Sequence, residues 1–170
     1  MTKHFHIPEL EFIPLDAEAL VALLAGPKAF LKKIGDDGEM IDQVVEVATL
    51  TQALLARTGA QAPWICYLAQ DPDTGGIVGT CGYKDKPTAN GVVEIAYFTF
   101  PDFEGVGVGT GMAQELLARA FAEPVVNSVI AHTKGKKSAS ARVLEKVGMT
   151  CTGQVDHPED GRVWRWDLSR

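Results

Sequence analysis

The apolar and polar positions along the chain divide it into strand-like and helix-like stretches. Three runs in the middle are rich in β-branched and aromatic residues and are bounded by turns: WICYLAQ at 64–70, IVGTCGYK at 77–84 and VVEIAYFTF at 92–100. Such runs, joined by short turns, predict an antiparallel meander. An opening strand is predicted from His4 to Leu15, ended by Pro14.

Two helices are predicted between the opening strand and the meander. The leucines of ALVALLA recur at helical spacing after Asp16, a favourable N-cap, and the pattern stops at Gly26–Pro27. A second helical pattern extends from about Ile41 to Arg57 and ends at Gly59. Residues 27–40 are predicted to form a mixed, glycine-broken connection between the two helices.

The second half of the chain alternates between helices and strands. The predicted elements after the meander are a helix to about Glu123, a strand at 125–133, a helix at 138–148, and closing strands around 150–155 and 162–168. A strand–helix–strand crossover is right-handed and makes its two strands parallel. The order therefore predicts an α/β (α+β) fold with a mixed, mostly antiparallel sheet, one parallel strand pair and flanking helices.

The composition narrows the classes of protein and of partner. With 170 residues, 46% of them hydrophobic and 22% charged, the chain is expected to form a single globular domain. The net charge of −6, without any Lys/Arg run, argues against nucleic-acid binding. The longest apolar run, at 19–25, is too short to span a membrane. We expect a cytoplasmic monomer or homodimer with no nucleic-acid or membrane partner.

The cysteines and the N-terminal histidines do not indicate a metal site. Cys66, Cys81 and Cys151 show no CxxC spacing, and the first two lie in apolar runs, so reduced thiols without a disulfide are expected. His4 and His6 are an i, i+2 pair with no further ligand nearby. The sequence therefore predicts no bound metal.

The stretch FEGVGVGTGM at 103–112 has glycine at every second position, directly after a predicted strand. Glycines so placed allow backbone N–H groups to approach a ligand closely, and at the start of a helix that ligand is most often an anion. The nucleotide-binding pattern GxxxxGK[ST] is absent, and GxGxxG fails in every register. The predicted site is therefore an anion site of another type.

Two motifs together carry a resemblance to a known family. EGVGVG at 104–109, following a strand with a carboxylate and leading into an amphipathic helix, strongly resembles the acetyl-CoA-binding motif of the GNAT N-acetyltransferase superfamily. KSASARVLEKVGM at 137–149, preceded by AHT, resembles a second segment of the same superfamily. It is most similar to the branch that acetylates the N-termini of ribosomal proteins. The resemblance implies a GNAT-like acetyltransferase domain over residues 1–170, with the parallel strand pair splayed apart.

The resemblance implies acetyl-CoA as co-substrate and a primary amine as acceptor, either a protein or peptide N-terminus or a small molecule. In the family, loop amides and the helix N-terminus hold the CoA pyrophosphate, and the pantetheine arm lies between the splayed strands. Here those strands would be residues 98–100 and 129–133. The residues implied to contact the cofactor are Phe98, Thr99, Phe100, Gly105, Val106, Gly107, Val108, Gly109, Thr110, Lys137 and Ser140.

Acetyl transfer to an amine requires removal of a proton and a donor for the departing sulfur. Glu94 is the candidate general base, because it is a carboxylate on the same strand face as Ala96 and Phe98; the alternatives are a solvated residue or a water acting as base. Ser140 matches the serine of the ribosomal-protein branch and can donate to sulfur, or it bonds within the first turn of its helix. His132 and His157 are expected to have structural or rim roles.

Three residues depart from the family pattern. Glu104 stands where the family has Arg or Gln, and Lys137 stands at an expected Asn, where it either returns positive charge or is a solvated residue at a helix start. Leu144 occupies the position of a tyrosine acid found in many relatives. These departures keep open an alternative function, a non-catalytic module that binds CoA on the same fold.

Overall fold

A computed structural model of the protein describes residues 7–170, so the predictions about His4 and His6 lie outside the described residues. The strands are β1 (Glu11–Pro14), β2 (Cys66–Gln70), β3 (Ile77–Tyr83), β4 (Val92–Thr99), β5 (Ser128–Thr133), β6 (Thr150–His157) and β7 (Gly161–Ser169). The helices are α1 (Ala17–Ala25), α2 (Pro27–Lys33), α3 (Ile41–Thr58), α4 (Val108–Ala122) and α5 (Ala139–Lys146). A short 3₁₀ helix, Pro101–Phe103, follows β4.

The described strands form one sheet in the order β1-β2-β3-β4-β5-β7-β6. Within residues 7–170, β4 and β5 are the one parallel pair, and the other neighbours are antiparallel. Pairing between β4 and β5 extends only from Val92–Ser128 to Glu94–Ile130, although both strands continue. The predicted mixed sheet with a splayed parallel pair is thus confirmed. The gap opens after Ile130, so Val129 is paired and not part of it.

Helices cover both faces of the sheet because alternate strand residues face opposite sides. Tyr67 and Ala69 belong to a core cluster that includes residues of α4 and α5. Leu68, between them, belongs to a second cluster with residues of α1, α2 and α3. The anion site predicted at the start of α4 therefore lies on one face, and α3 lies on the other. Within residues 7–170 no helix is long and apolar enough to cross a bilayer.

Local signals at the helix ends account for several correct predictions. The Asp16 carboxylate accepts a hydrogen bond from the amide of Ala19 at 2.8 Å, which caps α1 as expected. Gly59 ends α3 with φ of 66°, a left-handed conformation that suits glycine. In α5 the N-cap is Ser138, whose hydroxyl accepts from the Ala141 amide at 3.1 Å. Capping is therefore not the role of Ser140.

Three element boundaries differ from the prediction. Residues 27–33 form α2 rather than a loop, because Pro27 is tolerated in the first helical turn and Leu31 is buried against the core. The opening strand is limited within the described residues to Glu11–Pro14, which pair with β2. The strand predicted at 125–133 begins only at Ser128, and Asn127 instead bonds through its amide to the carbonyl of Gly91 at 2.8 Å.

Candidate functional site

A cavity of about 300 Å³ lies between the end of β4, the glycine-rich loop and the first turns of α4 and α5. Its lining residues are Tyr97, Phe98, Thr99, Glu104, Gly105, Gly107, Val108, Gly109, Thr110, Ala139, Ser140, Arg142, Val143 and Lys146. We call it the loop cavity. It brings together eight of the residues predicted to contact the cofactor: Phe98, Thr99, Gly105, Gly107, Val108, Gly109, Thr110 and Ser140.

Three residues of that prediction do not line the loop cavity. Val106 is 60% exposed and lies beside a different depression. Lys137 is exposed, and its carbonyl accepts a hydrogen bond from Arg142 Nη1 at 3.2 Å. The Phe100 side chain is fully buried in the core against α1–α3. Its amide donates to the carbonyl of Val78 at 2.9 Å, so its backbone N–H is also used.

The loop glycines adopt the conformation that an anion-binding loop requires. Gly105 and Gly107 have φ of 76° and 90°, and Gly107 is the residue from which α4 begins. The N–H groups of the first turn, at Val108, Gly109 and Thr110, have no acceptor within the helix. They carry the positive end of the dipole of a 15-residue helix into the cavity.

The Thr110 hydroxyl is an independent sign of a ligand site. Its oxygen is buried and has no hydrogen-bond partner within the described residues, and the residue is 3% exposed. A buried hydroxyl without a partner costs about 1–3 kcal/mol. Thr110 lines the cavity beside the free amides, so an anionic group with several oxygens would satisfy it. The residues present therefore fit a phosphate-bearing ligand.

Positive charge reaches the loop cavity from α5. Arg142 and Lys146 line it, one helical turn apart, whereas Lys137 lies outside. Glu104 also lines the cavity and is exposed. The positive charge that was one of the two interpretations of Lys137 is thus offered here by two residues of α5, the helix that follows it. Their i, i+4 spacing was the signal that could have found them.

The edge of β4 beside the gap offers backbone groups for hydrogen bonding. The Lys84 amide donates to the carbonyl of Glu94 at 3.0 Å, and Phe98 lies opposite Thr80 in the same register. Because hydrogen-bonded and non-bonded pairs alternate in an antiparallel ladder, the N–H of Phe98 is directed to β3. The N–H groups of Tyr97 and Thr99 are directed into the gap left by β5.

Tyr97 is a polar residue of the site that sequence reasoning missed. Its hydroxyl donates to the carbonyl of Ser140 in the first turn of α5 at 2.9 Å. Burial raises the pKa of the Tyr97 hydroxyl above its usual range, so the group is protonated at neutral pH. Leu144, which stands where many relatives have a tyrosine acid, is fully buried.

A second cavity, also of about 300 Å³, lies on the other face of the sheet under α3. Its lining residues are Val47, Leu50, Thr51, Leu54, Cys66, Thr80, Cys81, Gly82, Tyr83, Lys84, Ala96, Tyr97 and Phe98. We call it the α3 cavity. It shares Tyr97 and Phe98 with the loop cavity, so the two cavities meet at the edge of β4 that borders the gap.

Glu94 lies in a polar cluster and not on an apolar or solvated face. Its side chain is 18% exposed, and its Oε1 lies 2.6 Å from Nδ1 of His132, 3.8 Å from Nε2 of His157 and 3.9 Å from Nζ of Lys84. Sequence reasoning treated both histidines as rim or structural residues. Donor atoms of Glu94, His132 and His157 lie within 4.8 Å of one another, so these three residues could also hold a metal ion.

A larger cavity, of about 520 Å³, lies between α1 and the end of α3. Its lining is mainly apolar, and its one charged residue is Asp16, whose carboxylate already caps α1. None of the residues predicted to contact the cofactor or to be catalytic lines this cavity. We therefore assign the chemistry to the two cavities at β4.

Comparison with known proteins agrees with this geometry. The family model described as "Acetyltransferase (GNAT) domain" matches residues 10–150, which confirms the resemblance drawn from the two motifs. No curated protein sequence matches the chain.

Solved structures with a similar fold include several N-acetyltransferases. A GNAT-family acetyltransferase from Bacillus anthracis has a TM-score of 0.63 at 16% identity, with 97% of each chain covered. An enzyme from Salmonella typhimurium that modifies the N-terminal serine of a ribosomal protein has a TM-score of 0.64 at 16% identity, with 95% of each chain covered. An aminoglycoside acetyltransferase in complex with coenzyme A has a TM-score of 0.62 at 19% identity, with 95% of this chain and 94% of that chain covered.

Proposed function

This chain belongs to the GNAT acetyltransferase family, and we propose that it transfers an acetyl group from acetyl-CoA directly to a primary amine. The observation that carries the proposal is the meeting of two cavities, from opposite faces of the sheet, at Tyr97 and Phe98. The loop cavity offers free helix amides and Arg142 to an anionic ligand, whereas the α3 cavity is mainly apolar. Direct transfer needs two substrates whose reacting ends meet at one point.

The loop cavity is the proposed site of acetyl-CoA. The free amides of Val108, Gly109 and Thr110 would hold the pyrophosphate together with the Thr110 hydroxyl, and Arg142 adds positive charge. The N–H of Thr99, which is directed into the gap, would bond the pantetheine arm along the edge of β4. When bound, acetyl-CoA supplies the activated acetyl thioester.

The α3 cavity is the proposed site of the acceptor. Its walls are largely apolar, with Leu50 and Phe98 exposed by 64% and 53%, and Lys84 is its one charged residue. A polycation such as spermidine or an aminoglycoside would find no carboxylate lining this cavity. We therefore propose an acceptor that joins a single primary amine to an apolar body, whether a small arylalkylamine or a peptide with an apolar first residue.

The reacting groups would lie where the cavities meet. An alkylammonium has a pKa of about 10 and must lose a proton before it attacks. We propose that the base is built around Glu94, whose Oε1 lies 3.9 Å from Nζ of Lys84 at the end of the α3 cavity. Ser140, which lines the loop cavity, would donate to the departing sulfur. The Tyr97 amide would stabilise the oxyanion.

A panel of acceptors tests this function. Release of free CoA is measured with phenethylamine, a peptide beginning with leucine, a peptide beginning with serine, spermidine and kanamycin. We expect kcat/KM for phenethylamine or the leucine peptide to exceed that for both polycations by about tenfold or more, since about 1.5–3 kcal/mol comes from burying an apolar side chain. Binding of acetyl-CoA by calorimetry without turnover of any amine would leave only the CoA-binding module.

Two matched variants test the acceptor site. Leu50 on α3 and Val21 on α1 are both 64% exposed, but only Leu50 lines the α3 cavity. Leu50→Glu should lower kcat/KM for phenethylamine about tenfold and leave KM for acetyl-CoA unchanged. Val21→Glu should change neither value. Equal effects of the two substitutions would place the acceptor elsewhere.

A further inference from the structure

We propose that His132, oriented by Glu94, is the residue that takes the proton from the attacking amine; this inference rests on the proposed function. Glu94 would then be a positioning residue rather than the direct proton acceptor. The distance of 2.6 Å between Nδ1 of His132 and Oε1 of Glu94 is that of a short, charge-assisted hydrogen bond. The side chains are 10% and 18% exposed, so water competes little for this contact.

The hydrogen bond defines which nitrogen of His132 is basic. A carboxylate only accepts, so the proton of the neutral imidazole lies on Nδ1 and the lone pair on Nε2. Nε2 makes no hydrogen bond within residues 7–170. On Glu94 the nitrogens of His132, His157 and Lys84 all converge on Oε1. Two acceptors of the pair therefore stay open, Oε2 of Glu94 and Nε2 of His132, and an imidazole nitrogen is the stronger base of these two group types.

His132 lies where such a base is needed. Its strand, β5, pairs with β4 only as far as Ile130, so on the side of β4 His132 lies beside the gap, while on the other side it pairs with Arg165 of β7. Were the pairing to continue, His132 would lie opposite Ala96, a small residue that lines the α3 cavity. The pair borders the end of that cavity, because Lys84 lines the cavity and its Nζ lies 3.9 Å from Oε1 of Glu94.

The other ionisable groups around the pair come from four parts of the chain. They are Lys84 directly after β3, His157 at the end of β6, Glu159 and Asp160 between β6 and β7, and Arg165 and Asp167 on β7. Arg165 and Asp167 are bonded to each other at 2.9 Å. His157 accepts at Nδ1 from the Glu159 amide at 3.3 Å, so its proton lies on Nε2 and it has no free lone pair for the amine.

The proton balance follows from this arrangement. The ammonium form of the acceptor loses two protons overall. One passes to Nε2 of His132 and then to solvent, while the nitrogen lone pair forms the bond to the acetyl carbon. As the carbon–sulfur bond breaks, the electron pair leaves on sulfur, and the second proton ends there to give free CoA. Glu94 keeps its negative charge throughout and stabilises the transient imidazolium.

The test measures kcat/KM against pH for His132→Asn, Glu94→Gln and His157→Asn with the acceptor turned over best by the unmodified enzyme. Asparagine at 132 keeps a donor toward Glu94 but has no basic nitrogen. It should lower kcat/KM by about 10²–10³-fold and abolish the decline toward acidic pH. Glu94→Gln should lower the rate less and keep that decline, and His157→Asn should also keep it, which distinguishes His157 from His132 as the base. Calorimetry should show unchanged acetyl-CoA binding in all three, which verifies folding.

Contrary outcomes are distinct. If Glu94→Gln removes the acid decline while His132→Asn retains it, Glu94 itself takes the proton and the inference is wrong. If EDTA abolishes the activity and Zn²⁺ restores it, Glu94, His132 and His157 form a metal site instead.

Nitrogen-15 NMR of the imidazoles is an independent readout. The inference requires the Nδ1–H tautomer of His132 and fails if Nε2 carries the proton. If the protein acetylates no amine, the proposed function is refuted, and the NMR result still reports the tautomer of His132 independently.

Discussion

Single glycines in the loop have different physical roles although the sequence presents them as one repeat. Gly107 has φ of 90°, a conformation that β-branched residues resist. Gly109 does not have a positive φ; a Cβ there would lie 3.3 Å from both Thr99 Oγ1 and Val143 Cγ2. Gly111 faces Leu10 and Ile7, with a built Cβ 3.2 Å from Leu10 Cδ1. The stabilisation by alanine that an exposed helical glycine would give is therefore not expected at Gly111.

Gly107→Val should raise KM for acetyl-CoA by more than about tenfold, because it distorts the amides that would face the pyrophosphate. Gly35 is a suitable control, since its φ is 89°, nothing lies within 4 Å of its Cβ position and it does not line the loop cavity. Gly35→Val should lower the melting temperature to a similar extent and leave acetyl-CoA affinity unchanged. The amide cradle would be refuted if calorimetry gave the same affinity for both variants.

The residues of the candidate site differ in how far the sequence could identify them. The glycines and Thr110 are contiguous, so their local spacing was sufficient. Glu94 and His132 are 38 positions apart and meet only because β4 and β5 are parallel neighbours in a specific register. A shift of one residue would turn His132 to the opposite face. The register of β4 against β5 cannot be read from a local sequence pattern, and the contact between Glu94 and His132 was therefore not predicted.

Among the elements, α5 is the one that determines the charge of the loop cavity. Its cap at Ser138 fixes where the helix starts, and this start turns Arg142 and Lys146 toward the cavity while Lys137 remains outside. A substitution at Lys137 would therefore not change the charge that lines the loop cavity. Element boundaries were predicted least well where apolar signals are weak, as at α2, whose one fully buried residue is Leu31.

Arg142→Gln should raise the Kd of acetyl-CoA by about 10- to 100-fold, because a hydrogen bond to a charged group contributes about 1.5–3 kcal/mol. Glu104→Arg should tighten binding, since it replaces a negative by a positive charge at the same cavity. Arg162→Gln, on β7 and outside both cavities, is the control. Calorimetry at two salt concentrations measures all three. A salt dependence that stays the same in Arg142→Gln would contradict the assignment of Arg142 to the phosphates.

At the scale of the whole molecule, the splayed strands join two faces of one sheet that are otherwise separated by it. The loop cavity lies on the α4–α5 side and the α3 cavity on the α1–α3 side, and they meet at Tyr97 and Phe98. The parallel pair was predictable from the strand–helix–strand crossover, and its splay was implied by the family resemblance. The α3 cavity was not predictable, since its walls come from α3, β3 and β4 together.

The two-sided plan favours a ternary complex over a covalent acetyl-enzyme. Burial raises the pKa of the Cys81 thiol far above its usual range and that of Cys66 in the same direction, so both stay protonated at neutral pH. Cys151 lines neither cavity. Initial rates at varied acetyl-CoA and amine concentrations should therefore give intersecting double-reciprocal lines. Mass spectrometry after incubation with acetyl-CoA alone should detect no acetylated cysteine. Parallel lines, together with an acetyl group on Cys66, would show instead that the thiol bordering the α3 cavity carries the acetyl group between the substrates.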